Sequence, residues 1–250
     1  MKATPHIALI LVAAGHGSRF GGPKQLVAVH SSGACIAEFS VLDAAKAGID
    51  LAVLVIRPEH EALWRGKNWP IPVHLAVQHE ARGTGDALAV GMRCAAEQGA
   101  EVFVVGNADD YYGDLWQGAV ARARMGRNAS LAYPLSRVCS PHGPVNRAVL
   151  FTNAEGQLVE LQEHSGLTPA DVQRLGDPPV SMNAWVLARS VLDWWPPTPR
   201  DGGEFGIPDA VRFGLDRGDV FWADTLGTTW LGLTYAADHD AVLAYFNQHF

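Results

Sequence analysis

The chain has 250 residues, 48% hydrophobic and 18% charged, enough to bury a full core without disulfides and of ordinary size for one α/β domain. Its formal net charge of -7 and scattered cations disfavour a nucleic-acid groove, and its 3 cysteines, Cys35, Cys94 and Cys139, are too widely spaced for a metal knuckle or a disulfide framework and read as reduced thiols. No apolar run approaches membrane-spanning length, and Met1 to Pro5 leads directly into an apolar strand without the pattern of a leader, so the expectation is a cytoplasmic protein with no membrane and no nucleic-acid partner.

Ile7 to Val12 is a continuous run of branched apolar residues, the pattern of a strand buried on both faces. It opens onto LVAAGHGSRFGGPKQ, Leu11 to Gln25, which holds Gly15, Gly17, Gly21 and Gly22 with Arg19 and Lys24 as its permanent cations. Glycines permit positive φ and let bare N–H groups converge on an anion, while Arg and Lys supply charge; together they make a phosphate cradle. No Gly-Lys-Ser/Thr ends the loop as in a Walker motif, and Phe20 stands where a dinucleotide fingerprint needs its third small residue.

An extended piece at Val27–Ser32 precedes a helix at Ile36–Ala47, a strand at Leu51–Ile56, a short helix at Glu59–Arg65 and a strand at Val73–Val77. This alternation predicts right-handed crossovers and a parallel sheet. Gln78 follows, then Gly83, Thr84 and Gly85, and a helix from about Asp86 to Gln98, where Asp86 complements the helix dipole. The strand Glu101–Gly106 ends in Asn107, Ala108, Asp109 and Asp110. Adjacent carboxylates at the carboxyl end of a parallel strand lie where ligands bind and suit a hard cation such as Mg²⁺; Asp110 equally suits the N-cap of the next helix.

That helix is expected at Trp116–Arg124, followed by a strand at Ala129–Pro134 and a Pro-, Gly- and Ser-rich loop over Ser136–Val145. Arg147–Thr152 and Leu158–Gln162 form a hairpin, with Glu163 and His164 directly after it. The segment Leu167–Pro179 has no period, and Val180–Leu187 continues as an extended run through Asn183. A short helix at Ser190–Trp195, a helix from Glu204 to about Arg217, strands at Val220–Asp224 and Thr229–Tyr235, and a helix at Asp238–His249 complete the chain.

Ala13, Ala14, Gly15, Gly17, Arg19, Gly21, Lys24 and Gln25 match AAGxGxRxGxxKQ, and on this the chain resembles the sugar-1-phosphate nucleotidyltransferases, which join a nucleoside triphosphate to a sugar 1-phosphate. QHEARGTGDA is similar to the base-binding segment of N-acetylglucosamine-1-phosphate uridylyltransferases. NADDYYG and TWLGLTYAADHD are similar to the NADDFYG element and the WFGVTYKED ending of one bacterial branch, so the resemblance covers nearly the whole chain.

The resemblance implies a three-layer Rossmann-like α/β nucleotidyltransferase fold with a mainly parallel central sheet and a small β-rich sugar-binding part. It implies a single domain over 1–250, with 1–134 mainly nucleotide-binding and 135–250 mainly sugar-binding. Ala13, Ala14, Gly15, Gly17, Gln78, Gly83 and Thr84 would then bind the nucleotide, UTP being preferred from Gln78 and Gly83-Thr84. Arg19, Lys24 and Asp109 would be catalytic, Asp109 and Asp110 would hold Mg²⁺, and Glu163 and Asn183 would meet the sugar.

The sequence also departs from the family. Gly232 stands where thymidylyltransferases supply a second carboxylate to the metal, which leaves Asp224, Asp238 or the Asp109–Asp110 pair for that role. His164 and Asp86 stand where sugar-phosphate thymidylyltransferases use Lys and Gln. Pro23, Lys24 and Gln25 also resemble cytidylyltransferases acting on polyol phosphates, although NADDYYG replaces the Asp-Ala-Ala-Arg expected there. A non-catalytic nucleotide or sugar-phosphate sensor is the remaining reading.

Overall fold

A computed structural model describes residues 4–15, 20, 22–197 and 203–250. The first half runs β1 (Ile7–Val12), α1 (Ile36–Ala47), β2 (Leu51–Ile56), α2 (Glu61–Arg65), β3 (Val73–Val77), α3 (Thr84–Glu97), β4 (Val102–Asn107), β5 (Asp110–Tyr111), α4 (Leu115–Arg124) and β6 (Asn128–Pro134). The second half runs β7 (Val145–Thr152), β8 (Leu158–Leu167), α5 (Pro169–Leu175), β9 (Pro179–Ser181), β10 (Trp185–Ala188), α6 (Ile207–Asp216), β11 (Phe221–Thr225), β12 (Leu231–Gly232) and α7 (His239–His249).

The large sheet has the order β3-β2-β1-β4-β10-β6-β9-β7-β8, with β11 beside β6. Pairing is parallel from β3 to β4 and between β6 and β11, while β10 enters antiparallel between β4 and β6 and the β9-β7-β8 portion is antiparallel. The expected three layers follow from the pleat. Along β1, Leu9 and Leu11 pack with Val41, Ala44, Trp116 and Ala119 of α1 and α4, whereas Ile10 packs with Leu88 and Met92 of α3 on the other face. Every residue of β1 and β2 is therefore buried, which is why both read as unbroken apolar runs.

β1 lies between β2 and β4, so the connections leaving the carboxyl ends of β1 and β4 diverge and open a crevice between them. Val12 stands opposite Asn107 in register, which brings the loop after β1 beside the carboxylates after β4.

Several expected elements differ in form. Val180–Leu187 is two strands, β9 and β10, broken at Asn183, whose φ of 58° interrupts the extended backbone. Thr229–Tyr235 shrinks to β12, because its antiparallel partner β5 offers only Asp110 and Tyr111. Val27–Ser32 keeps one bridge, Ala28 to Cys35, and Ser190–Trp195 is a 3-10 turn at Arg189–Asp193. The aperiodic Leu167–Pro179 segment contains α5, started by Thr168 and Pro169. Asp110 is not a helix cap: it lies in β5, and Asp114 occupies the N-cap position of α4.

Candidate active site

The crevice deepens into a cavity of about 650 Å³, lined by Gly15 and Lys24 after β1, Gln78 and Gly83 after β3, Asp109 and Asp110 after β4, and Glu163 and Asn183 from the second half of the chain. Ala14 and Thr84 also line it. Ala13 is buried behind the surface and reaches the loop through its carbonyl. Gly17 and Arg19, expected in the cradle, lie outside the described residues.

The loop after β1 is clasped by Gln25. Its side chain is 3% exposed, and its Nε2 donates to the carbonyl oxygens of Ala13 and Gly15, at 2.7 Å each. Lys24, in the same 3-10 turn, places Nζ 2.5 Å from Asp109 Oδ2. A cation and a carboxylate thus meet at the carboxyl ends of β1 and β4, where a polyphosphate would find both positive charge and a metal-binding oxygen.

Gln78 follows β3, and its Nε2 donates to the Gly83 carbonyl at 3.2 Å and to Asp86 Oδ2 at 2.8 Å. Gly83 has φ of 97°, and a Cβ there would collide with the backbone of Phe205, so only glycine fits. The turn is tied to the segment ahead of α6: Phe205 N–H donates to Arg82 O, Gly85 N–H to Phe205 O, and Ile207 N–H to the Thr84 hydroxyl. The Thr84 oxygen thereby serves one of the amides that a helix start leaves without a partner.

Asp110 is 6% exposed and accepts from Asn107 Nδ2 at 2.8 Å. Burial and the adjacent Asp109 push its carboxyl from the ordinary 3.8 up to about 7, against the pull of Lys24, Asn107 and Arg147. Gly232 faces it in register across the β5–β12 pair, and a Cβ at 232 would lie 2.5 Å from Asp110 Oδ1. The carboxylate therefore occupies room that the glycine leaves. Asp224 pairs instead with Arg122 at 2.9 Å, and Asp238 accepts from the N–H groups of Thr234 and Tyr235; neither lines the cavity.

Among the described residues no cluster of three or more His, Cys, Asp or Glu could hold a metal. That excludes a closed protein cage there but suits Mg²⁺, which takes one or two carboxylates and fills its remaining positions with phosphate oxygens and water. Two neighbouring carboxylates, one of them buried without an ion pair of hydrogen-bonding length, fit such an ion.

On the opposite wall Glu163 lies inside β8 rather than after it, opposite Ala148, and its exposed carboxylate pairs with Arg212 at 3.1 Å. Asn183, in its left-handed conformation, donates from Nδ2 to Asn107 Oδ1 at 3.3 Å, so Asn107 links Asn183 to Asp110. Arg147, which the sequence marks only as the start of a hairpin strand, also lines this cavity. Its Nε and Nη2 donate to Val138 O and its Nη1 to Asn146 O, and its guanidinium stands 5.5 Å from the Trp230 ring centre, on the cavity wall. A register shift between Val145 and Arg147 re-aims this side chain.

Among the described residues no helix is long and apolar enough to cross a membrane. Comparison with solved structures finds the same fold in a UDP-glucose pyrophosphorylase complexed with UDP-glucose, at 15% identity and TM-score 0.71, over 97% of this chain and 98% of that one. A protein from Bacillus anthracis described as a glucose-1-phosphate thymidylyltransferase, in complex with sucrose, matches at 18% identity and TM-score 0.73 over 96% and 94% of the two chains. The inositol-1-phosphate CTP transferase from T. maritima matches at 13% identity and TM-score 0.73 over 98% and 97%. No curated protein matches the sequence. The model of the MobA-like NTP transferase domain matches residues 8–159, from β1 to the start of β8, more than half of the sequence. By that match the chain belongs to the MobA-like NTP transferase family.

Proposed function

We propose that this protein joins a nucleoside triphosphate, with UTP preferred, to a sugar 1-phosphate, giving an NDP-sugar and pyrophosphate. The observation that carries the reading is one cavity whose two walls meet at Lys24, Asp109 and Asp110. Residues 1–134 supply mainly the nucleotide side of this division and 135–250 mainly the sugar side.

The reaction needs no side-chain nucleophile. An oxygen of the acceptor phosphate attacks the α-phosphorus, the bond from that phosphorus to the bridging oxygen breaks, and the electron pair leaves with pyrophosphate. Lys24, with Arg19 from the same motif, neutralises charge that builds on the α-phosphate and the leaving group. Gly15 and the backbone that Gln25 clasps lie against the phosphates, and Gln78, Gly83 and Thr84 against the base. Glu163 and Asn183 accept and bridge sugar hydroxyl groups, while Arg147 faces the acceptor phosphate. Asp109 and Asp110 would hold Mg²⁺, which supplies charge neutralisation at the phosphoryl oxygens when bound.

The test is pyrophosphate release by the purified protein with Mg²⁺, across each nucleoside triphosphate paired with a panel of sugar 1-phosphates. Release with UTP and one sugar phosphate is the expected result. Release only with CTP and a polyol phosphate would replace the acceptor and the base, and UTP binding without release from any pair would make the protein a sensor.

A further inference from the structure

We infer that Asp86 is a positioning residue that sets which bases the nucleotide side accepts, an inference that rests on the nucleotidyltransferase reading. The Gln78 amide has two chemically opposite ends, Nε2 that only donates and Oε1 that only accepts. At 4% exposure, water cannot freely compensate a wrong orientation. Nε2 faces two acceptors, the Gly83 carbonyl at 3.2 Å and Asp86 Oδ2 at 2.8 Å. Turning the amide over would bring Oε1 against a carbonyl oxygen and a carboxylate oxygen, with no proton for any of the three. Asp86 and the Gly83 carbonyl thus fix the amide, and both of its protons are used inside the protein.

What Gln78 offers a ligand is Oε1 alone. Beside it, Gly83 lines the same cavity, and its backbone N–H donates to no acceptor among the described residues. An acceptor next to a donor complements a base edge with a ring N–H next to a carbonyl oxygen. Uracil, thymine and guanine carry that edge. Cytosine and adenine carry its inverse, an exocyclic amino group beside an unprotonated ring nitrogen, which would set lone pair against lone pair and N–H against N–H. A site built around hydrogen bonds rejects the mismatched edge because its own buried groups are then left unpaired.

The first turn of α3 would contain an acid for helix-dipole reasons alone, so the test must move selectivity and not only stability. Equilibrium binding of UTP and CTP to the full chain with Mg²⁺, followed by calorimetry, gives the ratio of the two affinities. Wild type should favour UTP by about tenfold or more. Asp86→Asn keeps the shape but removes the charge and adds a donor, so the Gln78 amide is held one way only by the longer bond to the Gly83 carbonyl at 3.2 Å, and the ratio should contract severalfold, chiefly through tighter CTP binding. A wild-type ratio near one, or an Asp86→Asn ratio equal to that of wild type in a protein that melts normally, overturns the role given to Asp86. Failure to bind any nucleoside triphosphate overturns the nucleotidyltransferase reading and this inference with it, whereas base-blind binding overturns this inference alone.

Discussion

The two walls of the cavity are built on different principles. The nucleotide wall hangs from β1 and β4, strands buried almost throughout, and from β3, the partly buried strand at the other edge of the sheet, and its polar groups are fastened from behind: Gln25 holds the backbone at Ala13 and Gly15, and Asp86 with Gly83 holds Gln78. The acceptor wall hangs from the β7–β8 hairpin at the sheet edge, whose register shifts at two places and whose outward face is open, with the Glu163 side chain 58% exposed and its partner Arg212 also near solvent. The first wall is preorganised for one kind of ligand; the second offers groups that different acceptors can use in different combinations. On the proposed function, chemistry and base choice would belong to the first wall, and the choice of acceptor to the second.

The strongest way to break this division is at the point where the walls meet. Lys24→Ala should lower turnover by about 10²- to 10³-fold, the usual loss when one preorganised charge-stabilising group is removed. The melting temperature should change little, because Lys24 is partly exposed and makes a rim contact with Asp109 rather than a core contact. Normal turnover in that variant would take Lys24 out of the mechanism. Next in size is Gly232→Ala, which leaves the nucleotide wall untouched and forces the Asp110 carboxylate aside, since the new Cβ would lie 2.5 Å from Oδ1 and against the Trp230 ring. Affinity for Mn²⁺, followed by the paramagnetic signal of the free ion, should fall about tenfold or more, as for other lost supports of a metal site. Unchanged Mn²⁺ affinity would remove Asp110 from the metal site.

Arg147→Ala sharpens the comparison from the other wall. Its guanidinium is fastened to Val138 and Asn146 carbonyls and stands over Trp230, so its charge faces the cavity from the acceptor side. The KM for the sugar phosphate should rise by about tenfold, the scale of one hydrogen bond to a charged group, with the KM for the nucleotide unchanged. Equal rises in both would mean that the walls do not divide the substrates.

The same contrast explains what could be read in advance. β1 and β2 fall where their apolar runs fall, because burial on both faces leaves no polar residue to blur an end. Lys24 and Asp109 could each be read as following a buried strand, and the structure brings them together because β1 and β4 neighbour each other in a parallel sheet. The acceptor wall hid its devices. VSMNAWVL reads as one extended run, and only its contacts with Ser181 and Asn107 show Asn183 bending out of it. Arg147 looks like an ordinary solvent-facing strand residue until the register shift turns it inward. α5 buries no residue, so it has no apolar period, although Thr168-Pro169-Ala170-Asp171 carries a capping signature that was there to be read.

That cap supplies the smallest effect. Thr168 N–H and its hydroxyl both donate to Asp171 Oδ2 at 2.9 Å, and Arg174 pairs with Oδ1. The Thr168 backbone N–H, then Arg174 and the Thr168 hydroxyl, hold the Asp171 carboxyl down from 3.8 to about 2. The native state therefore binds this proton less readily than the unfolded chain, so the contribution is present above about pH 4 and is lost as pH falls through about 2. Asp171→Asn removes the charge while keeping the shape. Its melting temperature should lie slightly below that of wild type from neutral pH down to about 4, and the two should converge below that. A constant gap across the whole range would mean that packing, not charge, carries the cap. Because α5 directly follows β8 and lies outside the nucleotide wall, the nucleotide KM of this variant should equal that of wild type. A change there would show that loosening the acceptor side reaches the base, and the two walls would have to be treated as one body.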